Sequence, residues 1–101
     1  MQKYFTSENK NIIFNRLKKE TSIRNLPYLG VCSDYGVGDA GIEELSGMYK
    51  FYVAEKDNQT MCKAYSNIKD AIQHLVDFYG KYHEVNDPDK MKAIFYETLG
   101  L

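Results

Sequence analysis

The sequence predicts an α+β domain in which a small antiparallel sheet of three strands packs on helices. Three observations indicate this class. Apolar residues recur with helical spacing from Ile68 to Tyr82, and they alternate with strand spacing from Met48 to Glu55. A polar turn and a second β-type segment follow that strand directly. The predicted element order is α-β-β-β-α-α, in a single domain that spans residues 1–101.

The first element is predicted to be a helix over residues 8–21. Thr6 and Ser7 are residues that cap helix N-termini, and Glu8 adds a favourable charge in the first turn. The apolar stripe of this helix consists of Ile12, Ile13, Phe14 and Leu17. Beyond a break at Pro27, the segment Tyr28–Ser33 is typical of a short strand.

A glycine-rich loop is predicted next, followed by one helical turn over Ile42–Leu45 that ends before Gly47. The strand Met48–Glu55 should place Tyr49, Phe51 and Val53 on one face. Its other face would then carry Lys50, Tyr52 and Ala54. Residues 56–59 predict a turn, and Thr60–Tyr65 returns as the partner strand of a hairpin.

The second long helix follows a cap at Ser66 or Asn67, with Asp70 at the capping-box position. Its apolar stripe is Ile68, Ala71, Ile72, Leu75, Tyr79 and Tyr82, and it should lie across the apolar face of the hairpin. Asp87 and Pro88 then start a last helix, at the N-cap and at the first helical position, and Gly100 stops it.

Charge is distributed unevenly along the chain, although the net charge is only −1. Residues 1–24 hold six basic and two acidic side chains, whereas residues 25–49 hold four acids and no lysine or arginine. The acids are Asp34, Asp39, Glu43 and Glu44, and Tyr35 lies among them on a glycine-rich backbone. A loop of this composition suits contact with a basic partner, so these five residues are the predicted partner-binding site.

The same segment only partly matches two ligand-binding motifs, one for dinucleotides and one for calcium. Gly36, Gly38 and Gly41 spell G-x-G-x-x-G, but a dinucleotide-binding turn needs a helix and a parallel strand directly after it, and no crossover helix fits before Met48. Counted as a calcium loop from Asp34, the segment has Leu45 where a glutamate is required. Neither a cofactor nor a metal is therefore expected.

No catalytic motif is evident elsewhere. His74 and His83 are expected to be surface or hydrogen-bonded core residues, and Cys32 and Cys62 to be buried thiols rather than a disulfide. A pI near 6.1 argues against nucleic acid as the partner. With no signal-peptide pattern and no run of about 18 apolar residues, a cytoplasmic protein without a membrane span is expected.

One stretch of the chain resembles a known family. The segment Met48–Asp57, followed by Cys62–Ile72, combines a strand, a charged turn, a return strand and a capped helix. In this order, over residues 45–82, it is similar to small immunity proteins of bacterial polymorphic toxin systems. The resemblance implies a non-enzymatic module that binds and inhibits a cognate toxin. Whether the chain is a monomer or a homodimer stays open.

Other functions stay open at this stage. An accessory protein of a phage or mobile element, binding a host protein, would have the same kind of sequence. A small enzyme would need an enclosed pocket near His74, Cys32 or the acidic loop, and a nucleic-acid-binding protein would use the basic first helix.

Overall fold

The structure, a computed structural model, describes residues 3–30, 40–55 and 58–101, including their side chains except those of residues 54–61. It confirms the α+β class, with three helices and a four-stranded mixed sheet. The helices are α1 (Ser7–Glu20), α2 (Ile68–Lys81) and α3 (Pro88–Leu99). The strands are β1 (Tyr28–Leu29), β2 (Ala40–Leu45), β3 (Met48–Glu55) and β4 (Asn58–Tyr65), and they lie side by side in chain order.

All three helices begin at the predicted caps. The Thr6 hydroxyl accepts from the Asn9 amide at 3.1 Å, and the Asn67 side chain accepts from the Lys69 amide at 2.9 Å. Asp87 accepts from the Lys90 amide at 3.1 Å, and Gly100 ends α3 in the left-handed conformation. These side chains satisfy amides that have no partner within the helix.

The expected helical turn at Ile42–Leu45 is wrong, because these residues belong to β2. β2 pairs antiparallel with β3 over its whole length, from Ala40 opposite Val53 to Leu45 opposite Met48. Pairing with β3 satisfies the backbone groups of β2 that face β3, whereas a single helical turn satisfies few. The predicted three-stranded antiparallel sheet is thus corrected to four strands, in the order α-β-β-β-β-α-α.

The added pairing is parallel and lies at the edge of the sheet. β1 pairs with β2 through Tyr28 opposite Gly41 and Leu29 opposite Ile42. The Gly30 amide extends the pairing by donating to the Ile42 carbonyl at 2.9 Å. Of the predicted strand Tyr28–Ser33, the first two residues form β1, and residues 31–33 lie outside the described part of the chain.

Gly41 is required where β1 and β2 meet. A Cβ atom at this position would collide with the backbone carbonyl of Tyr28. The third glycine of the G-x-G-x-x-G pattern therefore permits close approach of two strands, and it is not part of a turn as expected.

β4 begins at Asn58, two residues before the predicted start at Thr60. The pairing of β3 with β4 is irregular between Phe51 and Val53, since β3 advances two residues there while β4 advances three. This is the geometry of a β-bulge, which bends and twists an edge strand. The first two residues of the predicted turn, 56 and 57, lie outside the described residues, and its last two, 58 and 59, belong to β4.

The core lies between the sheet and the helices. As predicted, α2 packs across β3, and Tyr49, Phe51 and Val53 face it with exposures of 8%, 0% and 6%. Phe5, Ile13 and Leu17 join this cluster from the N-terminal segment and α1, and Met91, Ile94 and Phe95 join it from α3. Tyr52 is also fully buried, although strand alternation turns it away from the helices.

Candidate functional site

The five predicted partner-binding residues fall in two parts of the chain. Asp34, Tyr35 and Asp39 lie within residues 31–39, outside the residues that the structure describes. Glu43 and Glu44 lie in β2, on opposite faces of the sheet because neighbouring strand residues alternate. The two glutamates therefore cannot act together on one surface.

Glu44 is on the helix side of the sheet and has a structural role. Its Oε2 accepts from the Tyr4 amide at 2.8 Å, and its Oε1 accepts from the Phe5 amide at 3.0 Å. Because both amides precede α1, this carboxylate attaches the N-terminal segment to β2. Charge-assisted hydrogen bonds of this kind are the stronger class in proteins. Sequence reasoning missed this role, since nothing local links residue 44 to residues 4 and 5.

Glu43 is on the opposite face of the sheet, directly across from Lys50. Its carboxylate lies 3.6 Å from the Lys50 ammonium, and both side chains keep more than a fifth of their surface exposed. A partly solvated cross-strand pair of this type adds little stability and leaves the carboxylate accessible to a partner.

Two exposed apolar side chains lie beside Glu43 at the end of the β2–β3 hairpin. Leu45 is 46% exposed and Met48 is 40% exposed, and the two are opposite each other across the ladder. They point to the same face as Glu43 and Lys50. We call Glu43, Leu45, Met48 and Lys50 the hairpin face. Sequence reasoning missed it because the turn expected at Ile42–Leu45 gave those residues no fixed direction.

His74 is a half-buried titratable side chain of α2 that contacts two aromatic residues. Its ring stacks on Phe51 with 4.0 Å between centroids, and its Nδ1 lies 2.9 Å from the Tyr65 hydroxyl. Burial, together with the nearby Lys63, lowers the pKa of His74, and Asp77 opposes this shift. This confirms the expectation of a hydrogen-bonded histidine.

Two open cavities border α2. One, of about 350 Å³, is lined by Tyr65, Asp70, Gln73, His74 and Asp77. The other, of about 400 Å³, lies at the start of the helix between Tyr4, Tyr49 and Lys69. Both are open to solvent, and the first contains the hydrogen-bonded pair of Tyr65 and His74.

The structure describes one of the two cysteines and most of the side chains that could bind a metal. Cys62 is exposed on the edge strand β4, so its predicted burial is wrong, and Cys32 lies outside the described residues. Among the described strands, β4 has a neighbour on one side only, which is β3. Across residues 3–30, 40–55 and 58–101, no three metal-binding side chains converge.

The basic first helix is partly neutralised by its own fold. Arg16 donates to Glu20 at 2.7 Å and to Glu97 of α3 at 2.9 Å. Hydrogen bonds to Glu20 and then Glu97 raise the pKa of Arg16, and the bond from Arg16 lowers the pKa of Glu20. Lys18 and Lys19 stay exposed.

In the described part of the chain, no helix combines the length and hydrophobicity that crossing a bilayer requires.

Comparison with known proteins yields no match, whether to a family model, to a curated protein or to a solved structure.

Proposed function

We propose that this protein is a non-enzymatic binding module that holds a basic protein partner, in the manner of an immunity protein that inhibits a cognate toxin. The observation that carries the proposal is the stretch of residues 25–49, with four acids and no basic residue, which runs directly into an exposed apolar hairpin end. Acids provide attraction over a distance, and apolar side chains provide burial on contact.

The hairpin face supplies the contact part of this proposal. Leu45 and Met48 form a joined apolar patch, with the Glu43–Lys50 pair beside it. An apolar centre bordered by charged groups is the usual composition of a protein interface, and methionine is enriched in such centres. This face is turned away from α2, so binding there leaves the core packing intact.

The acids supply steering. Clustered charges of one sign raise the rate at which an oppositely charged protein associates, and salt weakens that effect. Glu44 is engaged with the Tyr4 and Phe5 amides, so the proposal assigns steering to Asp34, Asp39 and Glu43.

The immunity-type function follows from the resemblance over residues 45–82. The strand, return strand and capped helix expected there correspond to β3, β4 and α2. A toxin is a fitting partner because an inhibitor needs only a surface that occludes or distorts the toxin's site, and no chemistry of its own.

The proposal is tested with the protein encoded by the reading frame directly upstream, purified with its activity disabled. Surface plasmon resonance at several salt concentrations should give fast association that slows as salt increases. Combining Asp34→Asn, Asp39→Asn and Glu43→Gln should lower the association rate roughly tenfold and flatten its salt dependence. Failure of the upstream protein to bind, or unchanged kinetics in the triple variant, would reject the proposal.

A further inference from the structure

The edge strand β4 is long, and little in its sequence prevents it from pairing with another chain. It has eight residues, Asn58–Tyr65, and its only neighbour among the described strands is β3. Proline and clustered charges usually protect such an edge, but β4 holds no proline and no acid, and Lys63 is its only charged residue. Its bulge lies between Thr60 and Lys63, so the end of the strand stays regular. β1, at the other edge, has two residues and offers far less backbone.

A row of partly exposed aromatic side chains borders this end of β4. His74, Phe78 and Tyr82 recur at every fourth residue, so they share one flank of α2. The Tyr65 hydroxyl lies 2.9 Å from His74 Nδ1, which connects this flank to β4. The Phe78 and Tyr82 rings have centroids 4.8 Å apart, and Tyr82 is 50% exposed. Because aromatic side chains are enriched at protein interfaces, the strand end and the flank together make a candidate contact surface.

This surface carries charges of both signs. Asp70 and Asp77 line the groove between α2 and Tyr65, and the Lys63 ammonium lies 5.5 Å from the centre of the Tyr65 ring. Lys63 and Asp70 are exposed, and neither forms an ion pair with any residue that the structure describes. Asp77 instead accepts a hydrogen bond from Gln73 at 2.8 Å. A surface with a cation and an anion side by side is complementary to a second copy of itself.

Symmetry limits how two copies of β4 can pair. Two identical strands pair antiparallel in one sheet only about a two-fold axis perpendicular to the sheet, and this axis sets one residue opposite its own copy. Lys63 at that position would oppose two ammonium groups, and Cys62 adjoins the bulge. Tyr65 would require pairing at Asn67, which leaves the strand to cap α2. Ala64 is small, exposed and outside the bulge, so it is the residue that fits the axis.

We infer that the protein forms a two-fold symmetric homodimer by antiparallel pairing of β4 about Ala64, which joins two four-stranded sheets into one. Each Lys63 then lies opposite Tyr65 of the other copy, beside the groove that this tyrosine lines, and its ammonium pairs with Asp70 there. Asp70 is the nearer acid because it belongs to the first turn of α2, directly after β4. The axis leaves both hairpin faces on the same side of the joined sheet, away from the aromatic flank.

The first test is sedimentation equilibrium of the full chain between about 10 µM and about 500 µM. The mass should rise toward twice 11.7 kDa, with a dissociation constant of about 100 µM or tighter. Lys63→Glu and Asp70→Lys should each weaken the dimer roughly tenfold or more, because each sets like charges against one another. Asp89→Lys reverses an equally exposed acid in the first turn of α3, and it should leave the dimer unchanged.

Mixing the two charge-reversal variants shows whether the pair joins two chains. In a dimer of Lys63→Glu with Asp70→Lys, one contact pairs the two introduced groups and the other pairs the native lysine with the native acid. The equimolar mixture should therefore recover the affinity of the wild type, although neither variant dimerises well alone. An ion pair within a single chain would gain nothing from mixing, and recovery also shows that both variants fold.

A cysteine at the axis tests the register of the strands. In a chain with Cys32→Ser, Cys62→Ser and Ala64→Cys, the two introduced thiols lie on Cα atoms about 4.5–5.5 Å apart, which a disulfide can bridge. Mild oxidation should cross-link this dimer. The control is Cys32→Ser alone, because the native Cys62 lies about 13 Å along the strand from its own copy in this register and should not cross-link.

Three results would overturn the inference: a monomer mass at every concentration, no recovery on mixing, or cross-linking through Cys62 in place of position 64. Because none of these variants changes the hairpin face or the acidic segment, failure here leaves the proposed binding of a basic protein unaffected.

Discussion

At the scale of single residues, Gly41 fixes how closely two strands approach. Replacing Gly41 with alanine places a methyl group against the Tyr28 carbonyl, and backbone atoms cannot rotate away. We expect a loss of about 3 kcal/mol in the free energy of unfolding, measured by urea denaturation.

Gly47 is the matched control for this substitution. A Cβ atom at Gly47 meets nothing within 4 Å, but its φ is +76°. Gly47→Ala should therefore cost only the strain of a left-handed residue, about 1 kcal/mol. Equal losses at the two positions would contradict the role assigned to Gly41.

His74 gives the protein a specific dependence on pH. Its pKa in the folded state is below the ordinary value of 6.5, so the unfolded chain binds the proton more readily. The resulting stability is present above pH 6.5 and is lost as the pH falls through the lowered pKa. When Nε2 carries the imidazole proton, the Tyr65 hydroxyl donates to Nδ1, and a second proton breaks this arrangement.

The measurement is the free energy of unfolding between about pH 5 and pH 7. It should rise with pH in the wild type, and His74→Gln should reduce that slope. The carboxylate of Glu20, whose pKa is lowered by Arg16, loses its proton at lower pH and acts outside this window. A wild-type slope that persists undiminished in His74→Gln would contradict the assignment.

At the scale of elements, Glu44 connects the segment before α1 to β2. Glu44→Gln keeps the shape but leaves one backbone amide facing an NH₂ group in place of an oxygen. We expect the free energy of unfolding, measured by chemical denaturation, to fall by about 2 kcal/mol. Faster hydrogen exchange at the Tyr4 and Phe5 amides should accompany it.

Glu43→Gln on the opposite face is the control, and it should cost less than about 1 kcal/mol because its pair with Lys50 is partly solvated. If Glu43→Gln proved the more destabilising change, the structural role of Glu44 would be refuted.

The elements that sequence predicts well are those with local signals. α2 and α3 carry their caps and apolar stripes within their own residues, so their starts and faces follow from periodicity. β2 carries no such signal, because Glu43 and Glu44 interrupt its alternation and its pairing with β1 and β3 depends on distant residues. The anchoring of Tyr4 by Glu44 spans 40 residues, which no local pattern encodes.

At the scale of the whole molecule, the sheet separates two surfaces. The side turned away from α2 carries the hairpin face, at the end of the acidic segment, and the helix side carries the cavity bordered by Lys69 and Tyr49. The acidic character of residues 25–49 was evident from sequence. The division of Glu43 and Glu44 between two faces was not, because it requires the strand that the sequence did not predict.

The central claim is that the acids of residues 34–43 recruit a basic protein. It is tested most directly by quantitative capture from an extract of the native host, comparing three forms of the chain. One is the wild type, one carries Asp34→Asn, Asp39→Asn and Glu43→Gln, and the third is a matched control with Asp70→Asn, Asp77→Asn and Asp89→Asn. The two variants change the net charge equally, and the control alters exposed helix positions alone.

We expect a basic protein to be enriched on the wild type and on the control. The first variant should capture less of it, and the difference from the wild type should be largest at low salt. Equal capture by all three forms, or equal loss from both variants, would contradict it.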